Sequence, residues 1–243
     1  MKRLMFKALP VLLLSAAFVA CDKDDDTPVP VEEKAKIAIV HASPGAPEVD
    51  VYLDSASLTS SQIAYGDFTG TAGNPYVEVD AGQQLIRITN DGTTNFYEGS
   101  VNLEKDKSYS LFVYDVPENG NVKTVLLEDA PSSAGAGNAN LRFLHLAPDA
   151  PAADIFWINN EGDTVKTYEN VAFIGNNPNA SELSPFSAIA SGLYRVVVSS
   201  GDIVVLDVSD VQVSEGKSYT VYAKGLTTGT GETGLDVGTL QHN

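Results

Sequence analysis

The segment His41–Asp50 reads HASPGAPEVD, and the chain repeats its pattern at His145–Asp154 as HLAPDAPAAD. The two copies stand 104 residues apart and share the pattern H-x-[SA]-P-x-A-P-x-x-D. A short apolar run precedes each copy, and another follows it. A match of this length at one offset indicates an internal duplication, which predicts two structural units of the same kind.

The apolar runs around the first copy have the periods of β-strands. Residues 36–40 are typical of a buried strand, and residues 49–54 alternate apolar with polar side chains. Pro44 and Pro47 exclude a helix between these runs. Similar runs recur about every ten residues, and none shows a sustained helical period. We therefore predict an all-β chain of two tandem antiparallel β-sandwich domains, immunoglobulin- or transthyretin-like.

A second repeated element, the triplet Lys-Ser-Tyr, helps to set the limits of the two units. It occupies residues 107–109 and 217–219, at a similar distance after each copy of the longer pattern. Small residues between the units have the composition of a flexible connection. We predict a signal peptide over residues 1–20 and an acidic proline-containing tether over residues 21–35. The first sandwich is expected over residues 36–130, a linker over 131–139 and the second sandwich over 140–243.

The first twenty residues carry the three parts of an export signal. Lys2, Arg3 and Lys7 form its positively charged start. An apolar run over residues 8–20 follows them and ends in small residues. This run is shorter than the roughly 20 residues that span a bilayer. We therefore expect a cleaved signal peptide and not a membrane helix.

Cys21 is the only cysteine, so it has no partner for an intramolecular disulfide. One interpretation is a buried, inert thiol. Residues 18–21, Phe-Val-Ala-Cys, resemble instead a bacterial lipobox, in which a small residue precedes the lipidated cysteine. We predict lipidation of Cys21, with acyl chains such as palmitate holding the mature chain in a membrane.

The residues after Cys21, Asp-Lys-Asp-Asp-Asp over 22–26, resemble the surface-export signal of Bacteroidota lipoproteins. That resemblance implies a lipid-anchored protein exposed on the outer face of the outer membrane. The other interpretation is a solvated acidic linker, because like charges repel and stay extended.

The charge of the chain limits its partners. The formal net charge is −17, and loss of the three basic residues of the signal peptide makes it −20. Nucleic acid and anionic lipid head groups would be repelled by such a surface. We expect no nucleic-acid partner, no cofactor and no metal site, contact with the membrane through the lipid on Cys21, and a monomer.

The histidines of the repeated pattern, His41 and His145, stand nine residues before an aspartate in each copy. One hypothesis makes each His and Asp an acid–base pair or two metal ligands. A metal site, however, needs three or four ligands with recognisable spacing. We favour a structural corner in which the ring donates a hydrogen bond to a loop carbonyl or to the aspartate, built from His41, Pro44, Pro47, Asp50, His145, Pro148, Pro151 and Asp154.

Other catalytic motifs are not found in the sequence. It contains no G-x-S-x-G elbow and no phosphate-binding loop with a lysine. The third histidine, His242, is expected in a frayed C-terminal tail. We assign no catalytic residue and predict that the protein is not an enzyme.

The pattern V-H-A-S-P-x-A-P-x-V-D-V-Y over residues 40–52, with a later G-K-S-Y, resembles a family of exported bacterial domains of unknown function. The resemblance extends over nearly all of both predicted sandwiches. It implies tandem β-sandwiches in exported proteins, often lipoproteins. It implies no activity, cofactor or catalytic residue.

We predict a surface-anchored, non-enzymatic binding or envelope/adhesion module whose ligand the sequence does not identify. One alternative is a glycan-binding accessory protein, since exposed aromatic faces stack on sugars. The competing interpretation is that the same rings are buried in the sandwich cores. The candidate rings are Tyr52, Tyr76, Tyr97, Tyr114, Trp157 and Tyr168. A second alternative is a hydrolase of unrecognised type, because carboxylate pairs meet in space and not in sequence.

Two hydroxyl residues, Ser55 and Thr164, follow an aspartate and precede an aliphatic residue. These triplets resemble the O-glycosylation motif of exported Bacteroidota proteins. We predict a sugar on each, and intact-mass measurement of natively secreted protein without added mass would contradict this.

Overall fold

Sixteen β-strands make up most of residues 32–243, the part of the chain that the computed structural model describes. Cys21 and the acidic residues after it lie outside this part. The first eight strands are β1 Lys34–His41, β2 Asp50–Leu53, β3 Ala56–Ser57, β4 Val77–Asp80, β5 Gly82–Thr89, β6 Asn95–Leu103, β7 Ser108–Glu118 and β8 Asn121–Glu128. They form two four-stranded sheets, with strand orders β4-β1-β7-β8 and β3-β2-β5-β6.

The second eight strands repeat this arrangement. They are β9 Asn138–His145, β10 Ala153–Ile158, β11 Thr164–Val171, β12 Ser187–Ala190, β13 Gly192–Ser200, β14 Ile203–Val213, β15 Ser218–Lys224 and β16 Asp236–Gln241. Their sheets have the orders β12-β9-β15-β16 and β11-β10-β13-β14, the same order as in the first set. The all-β sandwich prediction is confirmed. The predicted domain boundaries stay a prediction.

One ladder in each sandwich departs from the predicted antiparallel pairing. β1 pairs in parallel with β7, and β9 pairs in parallel with β15, in matching registers. From β1 the chain crosses to the other sheet for β2 and β3, returns for β4, and crosses again for β5 and β6 before β7. As a result, β7 runs in the same direction as β1. The sheets are therefore mixed, which strand periodicity alone does not reveal.

Each sandwich has its own core, and the inward residues of its strands alternate as a pleat requires. In the first, Ile37 and Ile39 of β1 meet Ile86 and Ile88 of β5. In the second, the fully buried Trp157 of β10 is the largest side chain. Because burial stabilises by about 25 cal/mol per Å² of apolar surface removed from water, these two cores supply the main stabilisation.

A third core joins the two sandwiches. It lies between the sheet containing β1 and the sheet containing β9, which we call the inner sheets; the other two are the outer sheets. Val40 on β1 and Leu144 on β9, equivalent positions of the repeat, both belong to it. Phe112 and Tyr222, also equivalent, pack edge to face with ring centroids 5.5 Å apart. Contact between equivalent residues indicates that the sandwiches dock back to back about an approximate two-fold axis.

Helical structure is confined to short turns in the described chain. A four-residue helix, α1, spans Ala180–Leu183, and a 3-10 turn spans Gly231–Thr233. No helix among residues 32–243 has the length and apolar character to cross a membrane.

Candidate functional site

The corner made by the first copy of the repeated pattern is organised by a histidine. Nδ1 of His41 accepts the backbone N–H of Ser43 at 3.3 Å, which leaves the proton on Nε2. Nε2 then donates to the carbonyl of Pro47 at 3.0 Å. The His41 ring is fully buried, and it fixes the path of the chain between β1 and β2.

The second corner has the same geometry. Nε2 of His145 lies 3.2 Å from the carbonyl oxygen of Pro151, and the ring is 3% exposed. Its Nδ1 has no hydrogen-bond partner within residues 32–243, whereas Nδ1 of His41 accepts a backbone N–H. Burial lowers the pKa of both His41 and His145, so both rings are neutral at pH 7.

The aspartates of the pattern bond elsewhere. Asp50 accepts a hydrogen bond from Gln62 Nε2 at 3.1 Å, and Asp154 accepts one from the backbone of Asn170 at 2.7 Å. Neither is hydrogen-bonded to a histidine. Within residues 32–243, no group of three His, Cys, Asp or Glu side chains is placed to hold a metal ion.

Each corner histidine also packs on an aromatic ring that reaches the other sandwich. The His41 and Tyr65 centroids are 5.9 Å apart, and Lys224 of the second sandwich lies 4.8 Å over the Tyr65 ring. In the other corner, His145 and Phe173 are 6.3 Å apart, and Tyr114 of the first sandwich contacts Phe173 at 5.9 Å. The corners therefore help to dock one sandwich on the other.

A buried polar network crosses the same interface. Arg142 on β9 forms a 2.7 Å ion pair with Asp129, which follows β8, and each side chain is 1% exposed. Arg142 Nε also donates to Thr220 at 3.0 Å, and Tyr76 donates its hydroxyl proton to Asp129 at 3.0 Å. Asp129 and Tyr76 belong to the first sandwich and Arg142 and Thr220 to the second, so the ion pair joins the two halves. The network thus specifies how the halves meet.

The prediction of a frayed tail at His242 is wrong. His242 is 6% exposed, and its two ring nitrogens bond Tyr76 and Thr220, each at 2.8 Å. Its backbone N–H also donates to Ser218, which ties the end of the chain to β15. Burial lowers the pKa of His242 to about 4. This residue belongs to the interface network and is neutral at pH 7.

Most of the aromatic rings considered for sugar stacking are used in packing. Trp157 and Tyr114 are fully buried. Tyr76 belongs to the interface network, and Tyr168 hydrogen-bonds across its own sandwich. Tyr97 packs against the first core, and the ring of Tyr52 is covered on one face by Arg87 at 4.8 Å. These six rings therefore do not form a flat, open platform on which a sugar could stack.

An open groove runs along one side of the first sandwich. One wall is the segment 53–63, which contains β3; the other is β4 with residues 67–70. Two adjoining clefts, of about 590 Å³ and 400 Å³, share Leu58 and Val77 and form this edge groove. Leu58, Ile63 and Val77 supply apolar lining, which we call the floor of the groove, and Ser60 and Gln62 add hydroxyl and amide groups at its rim.

The same side of the second sandwich is bridged. The hydroxyl of Tyr168 on β11 donates to the carbonyl of Leu141 at 3.4 Å and lies 3.3 Å from Ser187 Oγ on β12. Lys166 Nζ donates to the carbonyl of Ala188 at 3.4 Å. By contrast, no hydrogen bond joins residues 53–63 to β4 in the described chain.

The difference follows from strand length. β3 has two residues, whereas its counterpart β11 has eight. Tyr65 follows His41 by 24 residues, and the equivalent Phe173 follows His145 by 28. The extra residues of the second copy extend β11, and its side chains then reach β12. The groove is therefore open in one sandwich only.

The two residues predicted to carry sugars are accessible. Ser55 lies in the tight turn between β2 and β3, and Thr164 is the first residue of β11. Both are exposed, and both follow the strand that leaves a corner. Ser55 also lines the edge groove. Glycosylation at either position stays a prediction.

The fold and site define a class: a tandem β-sandwich protein with a buried interface and one open edge groove. A family model described as Domain of unknown function (DUF4397) matches residues 35–156, just over half of the chain. The chain belongs to this family. The match extends from β1 through β10 and so contains the first copy of the pattern, the linker and the second copy. Among curated proteins, none matches this sequence.

Three solved structures show distant likeness, each with a TM-score of 0.24. The Bacillus anthracis TIE protein is 10% identical over 76% of this chain and 32% of its own. An α-glucan-binding streptococcal virulence factor is 9% identical over 79% and 92%, and a candidate cell adhesion protein from Bacteroides eggerthii is 11% identical over 88% and 97%. The chain thus spans about a third of the first of these. Likeness at this level does not indicate a ligand.

Proposed function

We propose that the protein is a lipid-anchored, surface-exposed binding module without catalytic activity, and that the edge groove is its binding site. The lipid on Cys21 would hold the folded unit at the outer membrane, and the acidic tether would keep it away from the lipid head groups. The two sandwiches would then act as one rigid body that presents the groove.

The observation that carries this proposal is the difference between the two sandwiches. Both have the same strand order, yet only the first leaves the space between its edge strands open. A polar-rimmed, apolar-floored cleft of several hundred Å³ has the character of a ligand site. The bridged second sandwich shows that the fold itself does not require the opening.

The alternatives receive less support. A glycan-binding accessory protein needs exposed aromatic faces, and Trp157, Tyr114 and Tyr76 are committed to packing or to the interface network. A hydrolase needs a base that is near a reacting group, and the buried His41 and His145 donate to backbone carbonyls instead. A binding role needs neither feature.

Replacement of Cys21 by alanine tests the anchor. We expect the Cys21→Ala protein to leave the membrane fraction, because no other acyl attachment is predicted, whereas the wild-type protein stays in it. Fractionation with immunoblotting measures this, and protease treatment of intact cells reports surface exposure. Retention of the variant in the membrane fraction would refute lipid anchoring through Cys21.

Photo-crosslinking from the groove tests the binding site. A benzophenone amino acid at Ser60, on the rim of the edge groove, is expected to give discrete adducts on intact cells. The matched position is Thr167, which is exposed on β11 in the bridged sandwich. We expect position 167 to give no such adducts. Identical adduct patterns from both positions would show that the groove is not a preferred contact.

A further inference from the structure

The edge groove has the shape of a missing strand position. β4 pairs with β1 on one side, over four residues from Lys34–Asp80 to Ile37–Val77. In the described chain, its other side has no strand partner. The same is true of β3, which pairs only with β2. Unpaired N–H and C=O groups along an edge are a template for another strand.

The floor of the groove suits the side chains of an added strand. Leu58 and Val77 are partly buried hydrophobic residues that pack on the first core, and Ile63 is 5% exposed. Alternate side chains of an entering strand would contact this floor, and the others would point to solvent. At about 3.3 Å per residue, the four residues of β4 offer a pairing length of roughly 13 Å.

The second sandwich shows how the chain itself uses this space. There, the side chains of β11 cross to β12 through Tyr168 and Lys166. The first sandwich has no equivalent bridge, because β3 ends at Ser57. The opening is thus a space that the repeat fills in one copy and leaves available in the other.

The charge around the groove selects the partner. Asp54, Asp67, Glu78 and Asp80 line the groove and are exposed. The one basic lining residue in the described part is Lys34, which is already paired with Glu32 at 2.8 Å and Asp80 at 2.7 Å. A net acidic rim on an acidic protein attracts a cationic partner and repels an anionic one.

We propose that the edge groove binds an extended, lysine- or arginine-bearing segment of another polypeptide, which pairs with the free edge of β4. The inner sheet of the first sandwich then gains a fifth strand. Backbone hydrogen bonds supply affinity, the apolar floor accepts alternate side chains, and the acidic rim contacts the basic ones. This proposal rests on the groove being the binding site, and it specifies the chemistry of the occupant.

The test uses the chain from Asp22 onward and a fluorescein-labelled ten-residue peptide of alternating lysine and valine with threonine ends. Fluorescence anisotropy is expected to show saturable binding. Two control peptides separate the contributions: one carries N-methyl groups on alternate amides, and the other has glutamate for lysine. Each control is expected to bind at least about tenfold more weakly, since strand hydrogen bonds or charge attraction are lost.

Matched variants locate the site. We expect Ser60→Trp, which fills the groove, and Glu78→Lys, which reverses charge on β4, each to weaken binding at least about tenfold. Thr167→Trp and Glu169→Lys make the same changes at exposed positions of β11 and are expected to leave binding unchanged. Circular dichroism verifies that each variant is folded.

Two outcomes would overturn the proposal. Equal binding of the N-methylated peptide would mean charge attraction without strand pairing, and absence of saturable binding by the parent peptide would exclude a basic strand as the occupant. If Ser60 still gives specific adducts on cells, the groove remains a binding site for another chemistry. The two failures are therefore distinguishable.

Discussion

Replacing Arg142 by alanine is expected to lower the free energy of unfolding by about 3–5 kcal/mol, because it leaves a buried carboxylate without its cation. Arg142 and Asp129 are each 1% exposed and lie 2.7 Å apart. Asp129 would retain hydrogen bonds from Tyr76 and Ser110, but neither partner carries a compensating charge. Urea denaturation at pH 7.5 measures the change.

An exposed ion pair supplies the control. Arg195 bonds Asp207 on the outer sheet of the second sandwich, where the two side chains are 53% and 38% exposed. We expect Arg195→Ala to cost about 0–1 kcal/mol, because solvent screens the pair. If Arg142→Ala costs no more than Arg195→Ala, the buried pair does not hold the sandwiches together as described.

Acidification is the second large effect. Burial lowers the pKa of His242 to about 4, below its usual value near 6.5. Above pH 6.5 the ring is neutral in both folded and unfolded chains, so its contribution to stability is complete. Between pH 6.5 and 4 the unfolded chain binds a proton that the folded chain does not, and stability falls as pH falls. The loss from this residue alone is about 3 kcal/mol.

His41 and His145 act in the same direction, since burial lowers the pKa of each. We therefore expect the midpoint of urea unfolding to fall steadily from pH 7.5 to pH 4.5. A His242→Gln variant isolates one contribution: it is expected to be less stable at pH 7.5 yet to lose less stability on acidification. A variant that loses as much as the wild type would show that His242 is not the group responsible.

The sequence predicted the strands and the corners from local chemistry. Alternation over residues 49–54 and the prolines at 44 and 47 constrain the backbone directly, so the all-β sandwich was predictable. The parallel pairing of β1 with β7 was not, because it depends on the path of the chain through two sheets. Strand periods contain no information about which strands become neighbours.

The site was harder to predict for a different reason. His242 was misplaced because its partners, Tyr76 and Thr220, come from distant parts of the chain and meet only when the sandwiches dock. The edge groove depends on β3 being short, and a two-residue strand leaves no periodic signal. The one available sign was the unequal spacing after the two histidines, 24 residues to Tyr65 and 28 to Phe173.

If the edge groove is the binding site, having one open groove rather than two gives each chain a valency of one. A partner that presents many copies of a basic strand would gain avidity only if several chains, anchored by lipid as proposed, gathered under it, each contributing a single contact. Lateral mobility and surface density in the membrane would then set the strength of attachment as much as the affinity of one groove. On the proposed function, the duplication would supply a second sandwich for rigidity and not a second binding site.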